Sequence, residues 1–180
     1  NLGKLVLENN VNLNKDQLLD LKYEGGSVKD YLNSMIAKIG ENLILNDLIV
    51  KENKNSNYAF YIHNSYRENI GKIISLLEYS SSTKDVEIDT LTKNLCMHIA
   101  AMKPESLDVN DLDKSVIENE KKIQRELILN SGKPSNIADK ILEGKMKKFY
   151  SEVTLLNQSY ILDQDKTVKV VIDENKNYNF

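Results

Sequence analysis

The stretch DKSVIENEKKIQRELILNSGKPSNIADKILEGKMKKFYSEV (residues 113–153) reads as two amphipathic helices around one break. Asp113 suits an N-cap, because its short carboxylate can accept the free amides of a first helical turn. Val116, Ile123 and Leu127 then recur along one side of a helix. Glu118 and Lys122 stand at the i,i+4 spacing that favours an ion pair. NSGKPS (130–135) is a sharp break, with Gly132 suited to a left-handed cap and Pro134 to the first turn of a new helix. Ala138, Leu142, Met146, Phe149 and Val153 follow at steps of 4, 4, 3 and 4. Two helices of about 17–20 residues joined by so tight a turn predict an antiparallel helical hairpin of coiled-coil type. Its apolar stripes are narrow, so the hairpin is expected to protrude from a body and mate with a partner.

Working outward, Val86–Met102 places Ile88, Leu91, Leu95, His98, Ile99 and Met102 at helical spacing, and Pro104 ends the segment. Three short aliphatic and aromatic runs precede it: NLILNDLIV (42–50), NYAFYIHN (57–64) and GKIISLLEY (71–79). The polar segments KENKNS and SYRENI separate them, which predicts strands in an antiparallel meander. Nearer the start, residues 1–8 carry Leu2, Leu5 and Leu7 and read as the end of a helix, while Asn14–Leu21 is a short amphipathic piece. GGS (25–27) breaks the chain. Val28, Tyr31, Leu32, Met35, Ile36 and Ile39 again have helical spacing, and Gly40 is placed as a helix C-terminal glycine. Beyond the hairpin, VTLLNQSYILD (153–163) reads as extended chain, and KTVKVVI (166–172) suits strand or helix. The predicted class is α+β: small antiparallel sheets packed with helices, plus the protruding hairpin.

Composition narrows the function. The 180 residues carry a formal net charge of −3, with 28% charged and 41% hydrophobic residues. An acidic balance argues against general nucleic-acid binding, which leaves a basic footprint. One cysteine permits no intrachain disulfide and points to a reducing, cytoplasmic setting. No apolar run approaches the roughly 18–20 residues that span a bilayer, so no membrane role is expected. The chain shows no initiating methionine and no signal-peptide pattern. Both ends are expected to be cuts in a longer protein.

Enzyme chemistry finds little support. No phosphate-cradling glycine loop, zinc-type Cys/His spacing or nucleophile elbow is present, so no cofactor and no catalytic residue is assigned. LCMHIAAMKP (95–104) gathers Cys96, Met97, His98 and Met102, the ligand types soft metals prefer. Helix geometry works against that reading. At about 100° per residue, positions two apart point to nearly opposite sides, so Cys96 and His98 cannot share a metal while the helix is intact. His98 and Met102 share a face with Leu91 and Leu95, which predicts a core stripe with a buried, hydrogen-bonded histidine. His63, at the end of YAFYIHN beside a polar loop, reads as a surface histidine or as a contact for a partner.

Several of these segments together resemble the bacterial elongation factor Ts family, the guanine-nucleotide exchange factors of elongation factor Tu. The resemblance rests on AKIGEN (37–42), MHIAAMKPE (97–105), SGKPSNIADKILEGKMKKFYSEVTLLNQ (131–158) and DKTV (165–168), in family order and at family-like separations. It covers nearly the whole chain and is weakest over residues 1–30. It implies a first core subdomain at 1–56 (incomplete), a second at 57–106 with 156–180, and the helical-hairpin dimerisation module at 107–155. It also implies binding to elongation factor Tu, GDP-bound and nucleotide-free, with distortion of the partner's phosphate and magnesium environment so that GDP leaves. No substrate bond is made or broken, and no metal or cofactor is required.

The resemblance carries over four contact residues. Ile39 and Gly40, in KIGEN, would touch the partner's nucleotide-binding domain. His63, on the strand before the Ile-Gly hairpin, would contact the same domain, although its loop, NSYRENIG, departs from the usual short glycine turn. Ile161, a few positions before KTV, would contact the far part of the partner. The resemblance places the family's Thr-Asp-Phe motif just before residue 1, and this motif, the N-terminal helical domain and a strand after Phe180 are expected to be missing from these residues. Both sheets are therefore expected to lack strands, and exchange by this chain to be poor. Two rival readings remain: a structural module that forms a homodimer through the hairpin without exchange activity, and an enzyme or metal protein using Cys96, or His98 with Met102.

Overall fold

The computed structural model describes residues 2–9, 13–51, 56–81, 86–131, 135–175 and 178–179. Its backbone divides into two compact units, Asn1–Lys54 and Asn55–Phe180. The fold is α+β, with small antiparallel sheets and helices.

The first unit contains α1 (Leu2–Asn9), α2 (Lys15–Asp20), a small hairpin of β1 (Lys22–Tyr23) and β2 (Gly26–Ser27), and α3 (Val28–Ile39). Local side chains start the helices. The Asn14 side chain accepts the Gln17 amide while the Gln17 side chain accepts the Asn14 amide, and Ser27 and Asp30 do the same for α3. Each reciprocal pair satisfies two amides that the first turn would otherwise leave open. Val6, Leu18 and Val28 form the buried centre, with Leu45, Leu48 and Val50 packed on it.

Here the expected strand at 42–50 is corrected. The segment joins no ladder among the described residues. Leu43, Leu45, Leu48 and Val50 are half-buried, while Ile44 and Ile49 are about three-quarters exposed. Alternating apolar residues allow a strand, but a ladder needs a neighbour's amides and carbonyls, which no local pattern supplies.

The second unit is built on the long hairpin β3 (Asn57–Arg67) and β4 (Ile70–Ser81), which pair antiparallel from Asn57↔Tyr79 to Arg67↔Ile70. The third strand of that sheet is β7 (Tyr178–Asn179), paired with the end of β4, so the meander with 42–50 is not formed. SYRENI is likewise not a linker. Strand β3 runs on to Arg67 and the turn is only Glu68–Asn69, with Asn69 left-handed at φ 59°.

Helix α4 (Val86–Met102) packs across one face of this hairpin. Lys103 takes a left-handed backbone at φ 48° and its N–H closes on the Ile99 carbonyl at 2.9 Å; Pro104, with no N–H, cannot continue the helix. Ile88, Leu91, Leu95, Tyr79, Leu155, Tyr160 and Val168 make the core. Each such buried aliphatic side chain contributes roughly 1.5–3 kcal/mol. The other face of the hairpin leaves Phe60, Ile74 and Leu76 about half exposed.

Helices α5 (Lys114–Asn130) and α6 (Ser135–Val153) follow as an antiparallel pair with its own core of Ile128, Leu142 and Met146, flanked by Ile117, Ala138, Ile141, Phe149 and Tyr150. Asp113 caps α5 by accepting the Ser115 amide at 2.8 Å. The expected cap and helix start at Gly132 and Pro134 lie outside the described residues. The expected α5 stripe is corrected. Val116, Ile123 and Leu127 are 36%, 42% and 57% exposed, and the seam runs instead through Ile117, Gln124 and Ile128. The two rows have the same 7,4 spacing and lie about 100° apart, so periodicity cannot choose between them.

The chain then forms a 3₁₀ turn at Leu155–Asn157 rather than staying extended. A small sheet of β5 (Ser159–Tyr160) and β6 (Asp163–Thr167) follows, and then α7 (Val168–Glu174). Thr167 caps α7 by accepting the Val170 amide at 3.3 Å, which resolves KTVKVVI into a strand end and a helix.

Candidate functional site

His63 sits well inside β3, opposite Ile73, and its side chain is exposed. It does not stand at the strand end, because β3 is longer than the apolar run suggests. Tyr61, two residues earlier, faces the same side of the strand, as strand geometry requires. The Tyr61 hydroxyl hydrogen-bonds His63 Nδ1 at 3.1 Å, which fixes the imidazole's direction. Gly71 lets the partner strand approach closely. A Cβ there would press on Ile62 and lie 2.8 Å from the His63 carbonyl oxygen.

Ile161 lies in the turn between β5 and β6 and is 41% exposed, with Leu162 beside it at 59%. His63 and Ile161, far apart in sequence, line one cavity of about 290 Å³ together with Tyr61, Met97, Ala101 and Leu162. Its walls are mainly apolar, with Tyr61 and His63 the polar groups among these six. Tyr61 and Leu162 were open to sequence reasoning as neighbours of His63 and Ile161. The sequence marks Met97 only as a soft-ligand type.

Ile39 and Gly40 belong to the first unit. Ile39 ends α3 half exposed. Gly40 closes the helix with a left-handed backbone at φ 80°, its N–H donating to the Ile36 carbonyl at 2.8 Å. No described atom lies within 4 Å of where a Cβ would stand, so glycine is favoured there by backbone angle and not by crowding.

The LCMHIAAMKP helix is buried on two sides. Cys96 is fully buried, and the Ser75 hydroxyl of β4 donates to its carbonyl at 2.6 Å. Burial pushes its thiol up to about 11, against the opposing pull of hydrogen bonds from Leu77 and Ser75. His98, also fully buried, faces the 158–161 segment instead. Its Nε2 meets Gln158 Oε1 at 3.0 Å, and its Nδ1 accepts the Ile161 amide at 3.2 Å. Burial lowers its pKa, with the Gln158 bond opposing, so the ring is neutral. Both ring nitrogens are engaged, leaving no free lone pair for a metal. Met102 departs from the expected core stripe, being 43% exposed. Among the described residues no three His, Cys, Asp or Glu side chains come together as metal ligands, and no helix is long and apolar enough to cross a membrane.

A long β-hairpin backed by one helix, followed by a separately cored helical hairpin and a closing β-β-α segment, defines an α+β class of protein. A family profile described as Elongation factor TS matches residues 1–179. The chain is 40% identical over 161 residues to Elongation factor Ts of Rickettsia prowazekii (strain Madrid E), covering 88% of this chain and 52% of that protein. It is 36% identical over 160 residues to that of Caulobacter vibrioides, covering 88% and 51%. It is also 36% identical over 174 residues to that of Clostridium acetobutylicum, covering 96% and 55%. The chain belongs to the elongation factor Ts family. It spans about half the length of the curated relatives it matches.

Proposed function

We propose that this chain is a partner-binding part of a guanine-nucleotide exchange factor that acts on elongation factor Tu in the cytoplasm. The supporting observation is the convergence of His63 and Ile161 on one apolar cavity. They were assigned to different parts of the partner from motifs remote in sequence. A contact surface shared by the two would hold both parts at once.

The reading requires no covalent chemistry. Tighter binding to the nucleotide-free partner lowers the partner's nucleotide affinity by the same factor. Contacts realised only in the displaced state drive GDP out. On this reading Ile39 and Gly40 dock closely because the left-handed glycine keeps side-chain bulk away, and His63 and Ile161 supply the second unit's contacts. The subdomains we assign are 1–56, 57–106 with 156–180, and 107–155 as the hairpin. Release of fluorescently labelled GDP from elongation factor Tu, with and without this chain, tests the reading. Acceleration together with capture of nucleotide-free elongation factor Tu supports it, and absence of both overturns it.

A second reading has its own observation. The exposed row Val116, Ile123 and Leu127 on α5 suits association of hairpins into a homodimer. Sedimentation of the chain and of Leu127→Glu decides this: a dimer lost in the variant supports it, and a monomer throughout removes it.

A further inference from the structure

We propose that His98 is a positioning residue, whose Nδ1, held as an acceptor by Gln158, sets the turn that presents Ile161 and Leu162 to the partner. This rests on the functional reading above, in which Ile161 is a contact residue.

The hydrogen-bond pattern around His98 is directional. Gln158 is fully buried, and its Nε2 donates to the Glu152 carbonyl at 2.8 Å and to the Met102 carbonyl at 3.4 Å. Turning the amide over would set its oxygen against two carbonyls, so Oε1 must face His98. Oε1 can only accept, so His98 Nε2 carries the proton. In the neutral ring Nδ1 is then a bare acceptor, and the group facing it is the Ile161 amide. The other tautomer would oppose two donors at Nδ1 and two acceptors at Nε2. One arrangement therefore satisfies every member, and a fully satisfied buried network is a rigid one.

The connections explain what this rigidity serves. Through Gln158 the network holds the end of α6 and the end of α4, and the Gln158 carbonyl accepts the Val168 amide that opens α7 at 3.0 Å. Through Nδ1 it holds the β5–β6 turn at Ile161 itself. The His98 and Tyr160 rings stand 5.8 Å apart, which packs the residue before the turn against the same histidine. Ile161 and Leu162 carry exposed side chains on a two-residue turn, and a local strand of two residues gives little support of its own. Their direction is set from beneath, by one nitrogen.

The test uses three variants of the full chain. His98→Leu removes both hydrogen bonds at similar bulk. His98→Asn restores an acceptor near the Nδ1 position. His63→Ala removes a contact residue without touching the network. Two readouts are taken: amide hydrogen exchange at Ile161, and affinity for nucleotide-free elongation factor Tu. Loss of one hydrogen bond predicts about tenfold faster exchange at Ile161 in His98→Leu, and about tenfold weaker binding. His98→Asn is expected to recover most of both, a rescue that general loss of core packing would not allow. His63→Ala should weaken binding with Ile161 exchange unchanged. Unchanged Ile161 exchange in His98→Leu overturns the inference, as does faster exchange with full binding, or failure of His98→Asn to rescue. If the unaltered chain does not bind elongation factor Tu at all, the functional reading fails and presentation of Ile161 to that partner fails with it. The exchange data alone then report whether His98 holds the turn.

Discussion

His98 and Gln158 face each other at 3.0 Å with both side chains wholly buried, one on α4 and the other just beyond the 3₁₀ turn after α6. Burial of the histidine, which the Gln158 bond only partly offsets, makes stability depend on pH in a defined direction. Burial lowers the His98 pKa in the folded chain below its ordinary 6.5. As pH falls through about 6.5 the unfolded chain takes up the proton first, so the unfolded state gains and stability declines. The decline continues until the folded-state pKa is reached, with a slope of at most about 1.4 kcal/mol per pH unit. Urea unfolding of unaltered and His98→Asn chains at pH 5 to 8 checks this. The slope below pH 6.5 is expected to flatten in the variant.

His63 is exposed and takes no part in the core, so its removal should separate binding from folding. His63→Ala is expected to leave urea stability within about 0.5 kcal/mol. Affinity for nucleotide-free elongation factor Tu should fall by about tenfold, as for a contact near the centre of an interface. Calorimetric titration beside urea unfolding measures both. A parallel loss of stability would make His63 a structural residue.

Cys96 should be chemically silent while the chain is folded. Its thiol is buried and stays protonated at neutral pH, with its pKa pushed up to about 11. Ellman's reagent at pH 8 is expected to label the urea-unfolded chain promptly and the native chain only as fast as it opens. Prompt native labelling would contradict the burial of the α4 face against β4.

How far these features were legible depends on where the deciding forces lie. Helix α4 was readable to its last residue because its own apolar spacing and Pro104 set it, and α3 because Gly40 ends it. The opposite faces of Cys96 and His98 followed from helix geometry alone. Residues 42–50 failed as a strand because a ladder depends on a partner elsewhere in space. Strand β3 ran past His63 because pairing with β4 carried the polar SYR residues along. For the candidate site, no local pattern links His63 to Ile161. Family resemblance nominated each separately, and only the packing of α4 between β3 and the β5–β6 turn brings them to one cavity. The partner of His98 was unreadable for the same reason: Gln158 reaches it from a distant segment.

Gln124 marks an unsatisfied position in the helical hairpin. Its Nε2 donates to Glu120 at 2.7 Å, but its buried Oε1 has no hydrogen-bond partner among the described residues. A buried acceptor without a donor costs roughly 1–3 kcal/mol. Gln124→Leu exchanges that cost, and one half-exposed hydrogen bond, for apolar contact in the seam. It is expected to raise hairpin stability by about 1 kcal/mol in thermal or urea unfolding followed by helical circular dichroism. A destabilised variant would mean that a water or a partner group satisfies Oε1 in solution.

Leu127 and Ile128 test the hairpin seam most directly, because they are neighbours of equal size on opposite sides of the choice periodicity left open. Ile128 is 5% exposed against Leu142 and Met146, whereas Leu127 is 57% exposed. Truncating Ile128 to alanine removes buried methyl groups and leaves a cavity between helices, a loss of roughly 2–5 kcal/mol. The same truncation at Leu127 removes surface already in water and should stay within about 0.5 kcal/mol. Unfolding of the two variants side by side measures the contrast. Equal losses would place both rows in contact with something, and the exposed row Val116, Ile123 and Leu127 would then be covered in solution. Concentration dependence of the Leu127→Ala loss would identify that cover as a second copy, since only an associating chain has a stability that rises with its own concentration.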